Sequence, residues 1–169
     1  MSGNALTKLP ACMQTMTGLL LLNASGNQIV SFSAKLWKME SLTHLNLSHN
    51  KMVKLPSIEG DLELLKETGE WTVTVGLLKD LTWLSIGSNE LIEWPDGIEK
   101  CTLLTHLDVS CNQVTTIPNK SVSQLIELEM CDISNNSLVA LPDDIGACLA
   151  LVDLYAHCNQ IENIPSRYY

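Results

Sequence analysis

The sequence predicts an α/β solenoid, with short parallel strands stacked into one sheet on a concave face. Short 3₁₀ turns and loops would carry the chain back along the convex side. Three observations predict it. One apolar pattern recurs six times along the 169 residues. Each copy carries a single asparagine at the same place. A second apolar signal, usually ending in proline, follows each asparagine. A unit of roughly 20–50 residues cannot bury an apolar face alone, so such units stack on one another.

The copies read Leu19-x-x-Leu22-x-Ala24-x-x-Asn27-x-Ile29 and Leu42-x-x-Leu45-x-Leu47-x-x-Asn50-x-Met52. Next come Leu81-x-x-Leu84-x-Ile86-x-x-Asn89-x-Leu91 and Leu104-x-x-Leu107-x-Val109-x-x-Asn112-x-Val114. The last two are Leu128-x-x-Cys131-x-Ile133-x-x-Asn136-x-Leu138 and Leu151-x-x-Leu154-x-Ala156-x-x-Asn159-x-Ile161. The asparagines step by 23, 39, 23, 24 and 23 residues. The second signals are Leu55-Pro56, Trp94-Pro95, Ile117-Pro118, Leu141-Pro142 and Ile164-Pro165, with Phe32-Ser33 in the first copy.

Each element follows from the pattern. Apolar residues two apart lie on one face of a strand, so Leu-x-Leu makes a strand with one buried face. Proline and small polar residues then favour turns and 3₁₀ pieces on the way back. The asparagine follows the strand, where the backbone turns and leaves polar groups unpaired. Its amide donates and accepts, so a column of asparagines would satisfy those groups. The pattern resembles the leucine-rich repeat over essentially the whole chain. Its Leu-Pro endings, with Ile98 and Cys101 or Ile145 and Cys148 beyond them, resemble the subclass found in Ras-pathway scaffolds and Scribble-type polarity proteins.

The repeat departs from itself in two places. Pro10, Pro95 and Pro142 each precede the next first leucine by 9 residues, whereas Pro56 precedes Leu81 by 25. The excess predicts an insertion at about 57–72, with five acids and one lysine, in which Leu62, Leu64 and Leu65 fit a helical turn ended by Gly69. Such insertions map to loops on one face, whether functional or merely tolerated. The ends also differ. Asn4, Leu6 and Leu9-Pro10 read as the tail of a partial repeat over residues 1–18, and no recognisable cap stands at either end. We therefore expect one repeat domain over 1–169, with repeats starting near 19, 42, 81, 104, 128 and 151, belonging to a longer array. Uncapped rungs would favour end-to-end self-association.

Residues between the rung leucines should face outward in columns about 4.8 Å apart. The first column is Leu21, His44, Trp83, His106, Met130 and Asp153; the second is Asn23, Asn46, Ser85, Asp108, Asp132 and Tyr155. The resemblance implies that such concave positions bind a protein partner. We select His44, Asn46, Trp83, Ser85, His106, Asp108, Met130, Asp132, Asp153 and Tyr155 as partner-binding residues. Trp83, an outward tryptophan between two histidines, has the character of an interface anchor. Trp94 fills a core slot.

Composition narrows the function classes. Hydrophobic residues at 46% and charged residues at 17% exclude wholesale disorder. The net charge of −9 argues against a nucleic-acid binder and against docking on anionic membrane. Residues 1–84 hold seven acids and seven bases; residues 85–169 hold twelve and three. The excess acid would steer a partner with a basic face. The longest leucine run, Leu19–Leu22, is far from a membrane span, and the N-terminus has no signal-peptide pattern. Cytoplasmic residence is the expectation, and the six cysteines then read as reduced thiols, with Cys101, Cys131 and Cys148 in core slots.

No metal or cofactor is expected. His44 and His106 lie two rungs apart, too far for one zinc, and no C-x-x-C or H-E-x-x-H occurs. His157 and Cys158 are neighbours that would point to opposite sides, and no phosphate loop or nucleophile elbow appears. The expected function is a non-enzymatic scaffold or interaction module. The resemblance implies small GTPases or phosphatase subunits as plausible partners. The alternative is a repeat segment of a larger signalling enzyme whose kinase or GTPase domain lies outside this chain.

Overall fold

The structure, a computed structural model, describes residues 1–59 and 72–165. Six three-residue strands carry the apolar pattern. They are β1 (Leu21–Asn23), β2 (His44–Asn46), β5 (Trp83–Ser85), β6 (His106–Asp108), β7 (Met130–Asp132) and β8 (Asp153–Tyr155). They form one parallel sheet in the order β1-β2-β5-β6-β7-β8. The register places Leu22, Leu45, Leu84, Leu107, Cys131 and Leu154 side by side.

Behind the sheet the second apolar set packs into one core. Ala24, Leu47, Ile86, Val109 and Ile133 follow the strands, and Phe32, Trp94, Ile117 and Leu141 close the return path. Five 3₁₀ helices carry the convex side: Ala11–Thr15, Ala34–Lys38, Val75–Leu77, Ile98–Lys100 and Ile145–Ala147. Each ends with its cap N–H bonded three residues back. The return from β6 to β7 is built of turns instead, and it holds the extra residue of the 24-residue step. Lys120 is left-handed there, at φ 70°, and Ser121 Oγ donates to Pro118 O. Among the described residues no helix is long and apolar enough to cross a membrane.

The asparagines form the expected column. Asn112 Oδ1 accepts the Leu91 N–H of the preceding repeat at 2.9 Å. Its Nδ2 donates to Ile86 O in that repeat and to Val109 O and Ser110 O in its own. Asn50, Asn89, Asn136 and Asn159 repeat this pattern. Asn27 does the same with Leu6 N–H and Met1 O, so the first residues of the chain join the ladder.

Between β2 and β5 the chain leaves the repeat through β3 (Ile58–Glu59) and returns through β4 (Thr72–Val73), which pair antiparallel. The helical turn expected on Leu62, Leu64 and Leu65, its end at Gly69, and Trp71 lie outside the described residues. So do Ser166–Tyr169. Beneath the pair, Trp37 is buried with its indole N–H donating to Pro56 O at 2.7 Å, and its ring meets Phe32 edge-on.

Candidate functional site

The outward side chains fall into the two expected columns. Leu21, His44, Trp83, His106, Met130 and Asp153 are register partners in turn, as are Asn23, Asn46, Ser85, Asp108, Asp132 and Tyr155. His44, Asp153 and Tyr155 are exposed; Asn46, Trp83, His106, Asp108, Met130 and Asp132 are half-buried.

Over the first three rungs the face is hollowed. The His44 and Trp83 rings stack 6.5 Å apart at 21°. Together with Leu21, Leu22, Asn23 and Asn46 they line a depression of about 220 Å³. Its wall is mostly carbon, and Leu21 stands 59% exposed beside it. Leu21, Leu22 and Asn23 were not among the residues selected from sequence. Leu21 and Asn23 head the two columns, and that position was the available signal.

The second column is less free than its spacing suggests. Asn23 and Asn46 each accept the backbone N–H and the hydroxyl of the serine two residues on, Ser25 and Ser48. Asp108 Oδ1 holds Ser110 in the same way, and Asp132 Oδ1 holds Ser134. The motif fixes the chain as it leaves each strand. The third rung breaks it, because Gly87 stands where the first, second, fourth and fifth have serine. Ser85 Oγ donates instead across the rung to Asp108 Oδ2 at 2.7 Å. A Cβ on Gly87 would come within 2.7 Å of both Asp108 carboxylate oxygens, so only glycine leaves room for this contact.

One sequence expectation is corrected here and another is narrowed. Ser85 does not present an outward hydroxyl: it is 3% exposed and its proton is used by Asp108. Asp108 keeps its charge but is not a fully open acceptor, because Oδ1 accepts from the Ser110 N–H and hydroxyl and Oδ2 from Ser85. By contrast, Asp132 Oδ2 and the Asp153 carboxylate have no partner among the described residues.

Hydrogen bonding also fixes the histidine tautomers. Thr43 Oγ1 lies 2.9 Å from His44 Nδ1 and donates its one proton to Leu20 O. The Nδ1 must therefore carry the proton of that contact. Thr105 does the same beside His106, donating to Thr82 O. When neutral, both imidazoles turn an accepting Nε2 away from the threonine.

A family model for the leucine-rich repeat matches residues 41–62. A leucine-rich repeat protein of Leptospira interrogans superimposes with TM-score 0.79 at 25% identity, over 95% of this chain and 37% of that one. The chain folds as a leucine-rich-repeat solenoid. An internalin of Listeria monocytogenes matches it at TM-score 0.72 and 26% identity, over 95% of this chain and 42% of the other. The plant peptide hormone receptor RGFR1, solved in complex with RGF2, matches at 0.74 and 27%, over 92% of this chain and 23% of its own. The chain thus spans less than half the length of each of these structures. No curated protein matches the sequence.

Within the leucine-rich repeats the cysteines divide sharply. Cys12, Cys111 and Cys158 are exposed; Cys101, Cys131 and Cys148 are buried. Burial pushes the thiols of Cys101 and Cys131 up to about 12 and that of Cys148 up to about 11. Cys101 Sγ donates to Val75 O and Cys148 Sγ to Val122 O, each tying one repeat to the one before. These are protonated core groups, not nucleophiles. Among the described residues no three His, Cys, Asp or Glu side chains converge to hold a metal.

One regularity of the leucine-rich repeat was not read from the sequence. The residue before each ladder asparagine is left-handed: Gly26, His49, Ser88, Cys111, Asn135 and Cys158 all have φ between 53° and 63°. Gly26 and Asn135 are residues that take this conformation readily and were the visible hint. His49, Ser88 and the two cysteines hid it.

Proposed function

We propose that this chain is a protein-interaction module that takes its partner on the open face of the six-stranded sheet. The supporting observation is the Trp83–His44 stack and the apolar hollow around it, set where nothing in the fold needs an aromatic side chain. A half-buried tryptophan in such a hollow suits an interface anchor, since binding energy concentrates on aromatic residues in desolvated pockets. The matched receptor, solved with its ligand, agrees with a binding role for this repeat.

The partner we envisage is a protein with a basic face. A cytoplasmic scaffold role, with small GTPases or phosphatase subunits as candidates by resemblance, is part of the same proposal. We read the chain as non-catalytic, because its buried thiols stay protonated and its histidines are spread along the sheet.

The test is partner capture from a source-cell lysate, read by mass spectrometry. Wild type is compared with Trp83→Ala and with Asp132→Lys, each first shown to keep its circular dichroism. Partners lost from both variants support the open face. Partners retained by both overturn it and move the contact elsewhere on the solenoid.

A further inference from the structure

The open face is divided, and the division describes its ligand. We propose that it reads an extended peptide segment lying across the strands, with an apolar side chain at one end and lysine or arginine three to six residues away. This rests on the open-face reading and adds the chemistry of the partner.

Two independent features carry it. The first is the carbon-lined hollow of about 220 Å³ on β1, β2 and β5, where Leu21, His44 and Trp83 stand over Leu22. No acid lies in the columns of these three rungs. An aliphatic or aromatic side chain would fill it, and burying such a residue gives an anchor. The second is a surplus of unused acceptors at the other end. Asp132 Oδ2 on β7 and the carboxylate of Asp153 on β8 have no partner among the described residues. His106 lies between the two ends, and its neutral form has an accepting Nε2 away from Thr105, because Thr105 fixes the Nδ1 proton. A row of acceptors and negative charge suits a segment rich in donors and positive charge. Asp108, already accepting three hydrogen bonds from Ser85 and Ser110, adds charge but less acceptor capacity than the other two.

Strand spacing sets the separation. From β5 to β7 is two strand spacings and from β2 to β8 is four, about 10 to 19 Å. Extended chain advances about 3.3 Å per residue, which gives roughly three to six residues in either chain direction. In the hollow, the amide donors of Asn23 and Asn46 stay available for peptide carbonyls, since their Oδ1 atoms are held by Ser25 and Ser48.

A phage-displayed library of random twelve-residue peptides tests this on the full chain. Enriched peptides are remade as fluorescein conjugates and titrated by anisotropy. We expect enrichment of an apolar residue and a basic residue at the stated separation. Trp83→Ala should weaken the remade peptides at least tenfold. Asp132→Asn with Asp153→Asn should weaken them about fivefold at low salt and by less at high salt. Asp108→Asn should change them less than either. Enriched peptides that need Trp83 but show no basic residue would overturn the inference and leave the open-face reading standing. Peptides indifferent to Trp83, or no enrichment at all, would overturn the inference, and lysate capture then decides the open-face reading separately.

Discussion

The ladder asparagines of the fourth rung and the sixth make the same side-chain hydrogen bonds in very different surroundings. Asn112, after β6, accepts from Leu91 N–H and donates to Ile86 O, Val109 O and Ser110 O. Asn159, after β8, accepts from Leu138 N–H and donates to Ile133 O, Ala156 O and His157 O. Yet Leu107 on β6 is 0% exposed, while Leu154 on β8 is 38% exposed. Asn112 is buried and Asn159 half-buried. The ladder asparagine therefore finds its side-chain hydrogen bonds within its own repeat and the one before it. A repeat gets its burial from the repeat after it. The polar ladder and the apolar core are separable, and mutations can pull them apart.

The largest effect should come from the ladder at the interior rung. Asn112→Ala orphans the buried Leu91 N–H, which costs about 1–3 kcal/mol. It also removes one of two hydrogen bonds from each of Ile86 O, Val109 O and Ser110 O, which keep Asn89, Asn136 and the Ser88 N–H, at a net cost of about 0.5–1.5 kcal/mol each. After relaxation we expect a loss of about 4 kcal/mol by urea unfolding. Asn159→Ala strips the same bonds where water can replace them, so about 1 kcal/mol should go. Equal losses would mean that the sixth rung is covered in solution.

The core contrast comes next. Leu107→Ala removes a fully buried side chain and should cost about 3 kcal/mol, within the range for interior leucines. Leu154→Ala removes one that already meets water and should cost about 1 kcal/mol. The ratio of the two urea midpoint shifts measures how much burial one following repeat provides.

These rungs also show what was legible in the sequence. Strand positions, ladder and core slots could be read because each is imposed on every copy, so six copies vote on one reading. The open face could be read only as a list of outward positions. Which of these residues are spent internally depends on single departures from the repeat. Gly87 in place of serine leaves the room in which Ser85 donates to Asp108. No pattern announces a contact between neighbouring rungs that occurs once. The left-handed turn was missed for a different reason. The ladder hydrogen bonds hold the backbone there firmly enough that histidine, serine and cysteine all tolerate it.

Alkaline pH should separate buried from exposed cysteines. Folded Cys131 and Cys101 hold their protons to about 12, against 9.0 for an unburied thiol, because burial disfavours the thiolate. Between these values the folded chain binds more protons than the unfolded one. Stability is then full below about pH 9 and falls as pH rises toward 12. Cys131→Val should flatten that fall by one proton's worth. Melting temperature against pH is the readout, and a flat profile in wild type contradicts the assignment. In the native state iodoacetamide should modify Cys12, Cys111 and Cys158 alone.

The smallest effect is the one on which the two rungs should agree. Cys111 and Cys158 occupy the same left-handed position, at φ 53° and 55°. A non-glycine residue there costs about 1–2 kcal/mol, and glycine gives back part of that relief in unfolded-state entropy. Cys111→Gly and Cys158→Gly should each stabilise by about 0.5 kcal/mol, because the strain depends on backbone angle rather than burial. The pair therefore tests cooperativity. Equal gains in the global transition mean that the sixth rung unfolds with the rest despite its exposed leucine. A gain at Cys111 alone would show the sixth rung opening first, as nearest-neighbour coupling permits for a less buried repeat.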